Sequence, residues 1–310
     1  MQAKPTLKFP TPLPAQGRIR IVSVAGRVRQ EPFFAGLERL AQRGFELDWQ
    51  KAALSTEHPY LASSTEQRAA DFLGAFAAES NADAVMCARG GFGSMHLLGS
   101  HGVEELDLRH IPFLGFSDIT ALHLSLNRRG WVTYHGPVIT AMAGATEEAL
   151  DSALGWLTGA PVSRTLKGTG GWGDPVEGRL VGGNLSLLES CLGAPGCDLL
   201  PDSILLIEEI NEPLYRIDRM LSALDLRGAL QHVVGVALGS FHGCASEQPG
   251  DGSQLASTVV RGFFESRGMP VVEGFPVGHR SEDLTVPLGA PTRLDPTKLE
   301  LCFLPGDDFE

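Results

Sequence analysis

The sequence predicts an α/β protein whose first half is a doubly wound, mainly parallel sheet, and two observations carry that prediction. Short apolar runs alternate with stretches of helical period, the pattern of parallel strands joined by crossover helices. Several runs stop at glycine-rich or polar turns, where an open α/β sheet collects ligands at the carboxyl ends of its strands. At 310 residues the chain exceeds the size at which one core usually keeps growing, so two domains are expected.

Residues 1–16 carry five prolines or threonines within the first dozen positions and no apolar run long enough for a signal-peptide core. A disordered lead-in and a cytoplasmic location are expected. The N-terminal domain is placed at 17–157. A strand at Arg18 to Ala25 ends at Gly26, a helix covers about Pro32 to Arg43, and a strand follows at Phe45 to Trp49. A second helix runs from about Thr65 to Phe76. The buried strand Ala82 to Ala88 stops at Arg89-Gly90-Gly91-Phe92-Gly93, and a helix opens near Ser94. The run Ile111-Pro112-Phe113-Leu114-Gly115-Phe116 then stops at Ser117. Ile119, Leu122, His123 and Leu126 fall at i, i+3, i+4 and i+7, which makes the next element a helix. A strand at Val132 to Tyr134 leads into His135-Gly136-Pro137, and a helix from Thr146 to Leu157 closes the domain.

Residues 158–175 are rich in glycine and proline with no apolar period, and are read as a linker. Trp172 inside it either staples the linker to a domain or stacks on a ligand. The second domain, 176–310, opens with a strand through Glu177-Gly178-Arg179-Leu180-Val181-Gly182-Gly183-Asn184, where Asn184 suits a helix cap or a substrate contact. The apolar strand Ser203 to Ile207 ends in Glu208-Glu209. A helix after Pro213 has its apolar stripe at Leu214, Ile217, Leu221 and Leu224, and Arg216 and Arg219 suit a solvated ion-pair face with Glu212 and Asp218. A strand at Val233 to Phe241, a polar loop at 243–252 and a helix at Leu255 to Phe264 come next. The strand Pro270 to Phe275 then delivers Gly278-His279-Arg280, and strands at Leu284 to Pro287 and Leu299 to Leu304 end the chain.

A hydrophobic fraction of 43% and a charged fraction of 20% describe an ordinary soluble globular chain. The net charge of -12 would repel nucleic acid and anionic membranes, so neither is expected as a partner and small molecules are. Five scattered cysteines contain no C-x-x-C pair and nine histidines show no ligand spacing, so no metal is indicated. Gly91-x-Gly93-x-x-His96 lacks the third glycine of a dinucleotide fingerprint, and no cofactor is expected.

Ser117 lies on a strand-to-helix turn, where its side chain would be exposed at the sheet edge and the helix-opening N–H groups could stabilise an anion. Ser117 or Asp118 equally suits a helix cap. The G-x-S-x-G elbow is absent, because Ile119 stands where that motif has glycine. Gly90 and Gly91 fit either a tight turn or a close approach of backbone N–H groups to a substrate oxygen. Ser117, Glu208 and His279 each follow an apolar strand, and together are the three chemical types of an acyl-transfer triad: a hydroxyl, an imidazole to take its proton, and a carboxylate to hold the imidazole's tautomer. Adjacent strand residues face opposite ways, so only one of Glu208 and Glu209 can reach the cleft.

Taken in order, Arg89-Gly90-Gly91-Phe92-Gly93, Gly115-Phe116-Ser117-Asp118-Ile119-Thr120-Ala121-Leu122, His135-Gly136-Pro137, Gly182-Gly183-Asn184-Leu185, Leu206-Ile207-Glu208-Glu209 with Tyr215-Arg216-Ile217-Asp218-Arg219, and Gly278-His279 resemble the LD-carboxypeptidase family of serine peptidases, which also contains the microcin self-immunity peptidases. The resemblance implies an N-terminal doubly wound domain joined to a C-terminal α/β domain, with the active site between them. It places the triad on Ser117, Glu208 and His279 and a backbone oxyanion hole on Gly91 and Asp118. Phe92 and Phe116 depart from the tyrosines expected there, and Arg280 from a small residue.

The expected activity is removal of a terminal D-amino acid from an L-residue in a murein-derived tetrapeptide, a small peptide substrate, by a cytoplasmic enzyme for which a homodimer stays open. Arg89 or Arg280 could meet the terminal carboxylate. The rival within the family is cleavage of a peptidyl or aminoacyl nucleotide conjugate, with Trp172 as the platform for the base. The rival outside it is a non-catalytic peptide- or sugar-binding module, which would be expected to lose a triad member.

Overall fold

The computed structural model describes residues 6–98, 109–194, 196–244 and 252–305. The first five residues of the expected lead-in and residues 245–251 of the expected polar loop lie outside the described residues. In chain order the elements are β1 (Arg18–Val22), α1 (Gln30–Ala41), β2 (Glu46–Trp49), α2 (Thr65–Phe76), β3 (Ala84–Cys87), β4 (Phe113–Gly115), α3 (Thr120–Arg128), β5 (Thr133–His135), α4 (Ile139–Met142) and α5 (Glu147–Thr158). They continue with β6 (Thr165–Lys167), β7 (Gly170–Trp172), β8 (Val176–Asn184), α6 (Leu185–Cys191), β9 (Ser203–Ile210), α7 (Leu214–Leu226), β10 (Val233–His242), α8 (Gly252–Glu265), β11 (Val271–Glu273), β12 (Val286–Leu288), β13 (Pro291–Asp295) and β14 (Glu300–Phe303).

The first sheet has six strands in the order β12-β5-β4-β3-β1-β2. All pairs are parallel except β12 on β5. Its central strands β3 and β4 are buried on both faces because helices cover both. Val85 and Cys87 of β3 pack with Phe72 and Phe76 of α2 and Leu122 of α3. Ala84 and Met86, pointing the other way, pack with Phe33 and Leu40 of α1 and Leu154 of α5. The second sheet has eight strands in the order β6-β14-β13-β8-β9-β10-β11-β7. β8 to β11 form a parallel centre and the flanking strands pair antiparallel. Among the described residues no helix is long and apolar enough to cross a membrane.

The two halves meet at α3, the helix behind Ser117. Its sequence period marks one apolar face, yet every residue from Thr120 to Asn127 is buried. Leu122 and Leu126 join the first core while Ala121 and Leu124 join the core under the second sheet. Gly183, on β8, makes that approach possible: a Cβ there would fall 2.5 Å from Thr120 Oγ1, and its φ of +136° is open to glycine.

Three sequence expectations need correction. Residues 165–172 of the expected linker supply two strands to the second sheet, β6 on β14 and β7 on β11. Strands of three residues, one of them two-thirds glycine, have too little alternation to register as period. The described part of the lead-in is ordered against the first domain: Lys8 pairs by backbone with Gly130 and Val132, Leu13 N–H donates to Leu157 O at 2.8 Å, and Leu13 is 2% exposed. Finally, β12 belongs to the first sheet although it follows the second domain's helices, and β13 and β14 return to the second sheet, so the boundary is crossed three times.

Candidate active site

β4 ends at Gly115, Phe116 continues extended, and Ser117 opens a short 3-10 turn, Ser117–Ile119, that runs into α3. Ser117 has φ +63°, a conformation that costs a non-glycine residue about 1–3 kcal/mol and persists where the surroundings impose it. The turn presses against the loop after β3. A Cβ on Gly90 would lie 3.0 Å from Ser117 Cβ and 3.2 Å from its Oγ, so glycine is what lets this loop reach the hydroxyl.

Asp118 serves as more than a helix opener. Its buried carboxylate accepts from Ser94 N–H at 2.8 Å and Gly93 N–H at 3.3 Å, and its carbonyl accepts from Ser94 Oγ at 2.5 Å. Burial pushes the carboxyl up, against the pull of these donors and of Arg68. Arg68, on α2, grips the same loop from the other side. Fully buried, it donates to Gly93 O at 2.6 Å, Val24 O at 2.7 Å, Ser63 O at 3.2 Å and Thr65 Oγ1 at 3.1 Å, and its Nη2 lies 3.0 Å from His96 Nδ1. Burial lowers its basicity, offset in part by Asp118. The loop carrying Gly91 is thus held by a cation on its Gly93 carbonyl and an anion on its Gly93 and Ser94 N–H groups. Among the described residues, neither Gly91 N–H nor Asp118 N–H donates to another protein group, so both remain available to an oxyanion.

The other two candidate residues come from the second sheet. Glu208 and Glu209 are adjacent near the end of β9 and face opposite ways. Glu208 Oε2 lies 2.6 Å from His279 Nδ1. Glu209 faces α6, where it accepts from Asn184 Nδ2 at 2.8 Å, Ser186 N–H at 2.8 Å and Ser186 Oγ at 2.7 Å. Burial works against a charged His279, but Glu208, with Glu209 and Asp283 behind it, prevails and raises its pKa above the ordinary 6.5. The His279 ring packs on Phe116 at a centroid distance of 4.6 Å, and its Nε2 is buried without a protein partner. The structure therefore joins Glu208 and His279 directly and sets His279 beside the turn that carries Ser117. No hydrogen bond joins Ser117 Oγ to Nε2 here, a contact that often tightens only with substrate bound.

Asp283 shapes the His279 loop. It accepts from Ser240 Oγ at 2.8 Å, Arg280 N–H at 2.9 Å and Arg280 Nη2 at 2.8 Å. Arg280 is thereby fixed at the wall of a cavity of about 200 Å³ lined also by Phe116, His135, Pro137, Ala141 and His279.

The remaining expected contacts fall differently. Asn184 is buried and its side chain is spent on capping α6, through Leu187 N–H at 3.3 Å, and on Glu209, which corrects its reading as a substrate contact. Trp172 is 42% exposed on an edge strand and pairs with Val271 at the amino end of β11, away from the carboxyl ends that carry Glu208 and His279, and it does not line the cavity. Arg89 is half-buried beside Gly91, with its guanidinium on the Arg27 carbonyl. Sequence reasoning missed Arg68 and Asp283. Each lies outside any motif, and the signal is visible only as burial.

Models of the LD-carboxypeptidase N-terminal and C-terminal domains match residues 19–136 and 177–294. A murein tetrapeptide carboxypeptidase of Pseudomonas aeruginosa is 30% identical over 92% of this chain and 95% of its own. The solved muramoyltetrapeptide carboxypeptidase of Oxalobacter formigenes is 26% identical, with a TM-score of 0.78 over 92% of this chain and 97% of that one. The microcin C7 self-immunity protein MccF of Escherichia coli is 24% identical over 85% of each chain, and a wild-type MccF structure shares the fold at a TM-score of 0.80. With both domain models matched in order along most of its length, the chain belongs to the LD-carboxypeptidase family of peptidases.

Proposed function

We propose that this protein is a serine carboxypeptidase that cleaves the amide between an L-residue and a terminal D-amino acid of a murein-derived tetrapeptide in the cytoplasm. The observation that carries the reading is the Glu208–His279 pair at 2.6 Å, set beside a serine held at φ +63° against a loop with unpaired N–H groups. His279 Nε2 takes the Ser117 proton as Oγ attacks the carbonyl, Glu208 steadies the imidazolium, and Gly91 and Asp118 N–H groups receive the oxyanion. His279 then protonates the leaving amine, and water hydrolyses the acyl-enzyme by the same steps.

Because the leaving amine takes its proton from His279, the terminal residue belongs on the His279 side, in the 200 Å³ cavity whose Ala141 and Gly136 walls suit a small side chain. Arg280 stands at that wall to receive the terminal carboxylate. The nucleotide-conjugate alternative loses the platform proposed for it, since Trp172 lies outside this cavity. Mass spectrometry of the protein incubated with a murein tetrapeptide and, separately, with an aminoacyl-adenylate analogue tests the choice. Loss of one terminal residue from the tetrapeptide is expected; preferential cleavage of the adenylate analogue would overturn it.

A further inference from the structure

The first sheet reverses its strand order between β1 and β3, so the chain leaves these neighbours toward opposite faces and opens a crevice at their carboxyl ends. In open α/β sheets such a crevice is where ligands bind. Its walls are the segments after β1 and β3, tied together by Gly26 N–H on Gly90 O at 3.0 Å and by Arg27 N–H on Tyr60 O at 2.8 Å. Gly90 in turn abuts Ser117, so the crevice shares a wall with the nucleophile.

Three arginines gather here: Arg27, Arg29 and Arg89. Among the described residues none forms an ion pair with a carboxylate; Arg89 donates to the Arg27 carbonyl and Arg27 to Pro59 O at 3.5 Å. Elsewhere on the same sheet arginines are neutralised, Arg18 by Glu46 and Arg20 by Asp48 and Asp71. Burial and the nearby charge of Arg29 both lower the basicity of Arg89, so the cluster is held together against its own repulsion. In a chain of net charge -12 that arrangement calls for an anionic ligand. Beside it Tyr60 and Phe92 stand 55% and 45% exposed, their rings 6.2 Å apart and tilted by 49°. Two tilted rings form a wall for an aliphatic chain and no flat platform for a nucleobase.

We propose that this crevice is a second subsite, binding an oxyanion on the acyl side of the substrate, a carboxylate of the peptide that precedes the scissile bond, with the peptide's aliphatic part against Tyr60 and Phe92. The inference rests on the carboxypeptidase reading for its direction: with the leaving residue on the His279 side, the acyl chain departs past Gly91. A free phosphate offers the same oxyanion chemistry, and the test separates the two.

The test is calorimetric binding to Ser117→Ala protein of two tetrapeptides with the terminal carboxylate free in both and the acyl-side carboxylates free in one and amidated in the other, with inorganic phosphate as a third titrant. The free acid is expected to bind about tenfold tighter, as for one charge-assisted contact. Arg27→Gln with Arg29→Gln, the first half-buried and the second exposed, should abolish that difference without weakening the amidated peptide, and added salt should reduce it. Equal affinities of the two peptides, or equal losses in the double variant, would overturn the proposal, as would arginine-dependent binding confined to phosphate. Turnover by the wild-type protein is read separately. No cleavage of either peptide with carboxylate-dependent binding intact refutes the carboxypeptidase reading and leaves the subsite, whereas cleavage without carboxylate dependence refutes the subsite alone.

Discussion

Glu208 Oε2 lies 2.6 Å from His279 Nδ1, while Glu209, one residue further along the same strand, points to the opposite face and binds Asn184 and Ser186. Two neighbouring carboxylates thus have separate partners, one the candidate catalytic histidine and the other the start of α6. Glu208→Gln should lower kcat by about 10⁴, the cost of the equivalent change in a well-studied triad. Glu209→Gln should instead lower Tm and leave kcat within about tenfold, because it loses hydrogen bonds to Asn184 and Ser186 without touching His279. Steady-state kinetics with thermal melts of both variants checks the split, and the reverse ranking would reassign the carboxylates.

His279 must be neutral to act as a base, and its neighbours raise its pKa above 6.5. kcat/KM should therefore rise with pH through a midpoint above that ordinary value. Removing the Glu208 charge removes the main stabiliser of the imidazolium, so in Glu208→Gln the residual activity should show the same limb shifted to lower pH. A pH–rate profile of both proteins measures it; an unshifted limb would mean that another group titrates.

Arg68 is expected to act on the reaction through the loop whose Gly93 carbonyl it holds. Arg68→Met frees the Gly93 carbonyl and leaves Asp118 buried without its nearby cation, so the Gly91 N–H should lose its aim. One oxyanion donor is worth about 10²–10³ in kcat. The expected signature is a fall in kcat of that order with KM little changed, a matching loss of affinity for a peptidyl boronate, and partial rescue by Arg68→Lys. An equal loss of substrate and boronate affinity would make Arg68 a stabilising residue only.

Arg280→Gln should raise KM for a tetrapeptide with a free terminal carboxylate by about tenfold and do little for the amidated peptide, which should itself be a poor substrate. Trp172→Ala, on the edge strand, should change neither parameter. Parallel kinetics on the two peptides decides it.

The strand ends next to Ser117 and Glu208 are legible because buried parallel strands announce themselves as apolar runs whose first polar residue marks the ligand edge, while His279 lies in the loop beyond β11. The stripe of α7 was equally plain: Ile217, Leu221 and Leu224 are buried as spaced, and Arg216 pairs with Glu212. What escaped depends on contacts distant in sequence. α3 reads as having one apolar face because the side fitted to the second domain mixes Ala121 and Leu124 with the polar Thr120, which breaks the apolar stripe. β12 returns to the first sheet for a reason that lies in its partner β5. The lead-in is tied down by backbone bonds of Lys8 and Leu13, which leave no trace in side-chain pattern. Arg68 and Asn184 are polar residues whose burial is set by tertiary packing, so no local period could separate them from surface residues.

The central claim is that Ser117 forms the acyl-enzyme. Intact-protein and product mass spectrometry of wild type and a folded Ser117→Ala variant with the murein tetrapeptide tests it most directly. The account predicts release of the terminal residue by wild type, a transient adduct of the shortened peptide on the segment containing Ser117, and a loss of turnover of at least about a thousandfold in Ser117→Ala. Near-normal turnover by the folded variant, or an adduct on another residue, would contradict it.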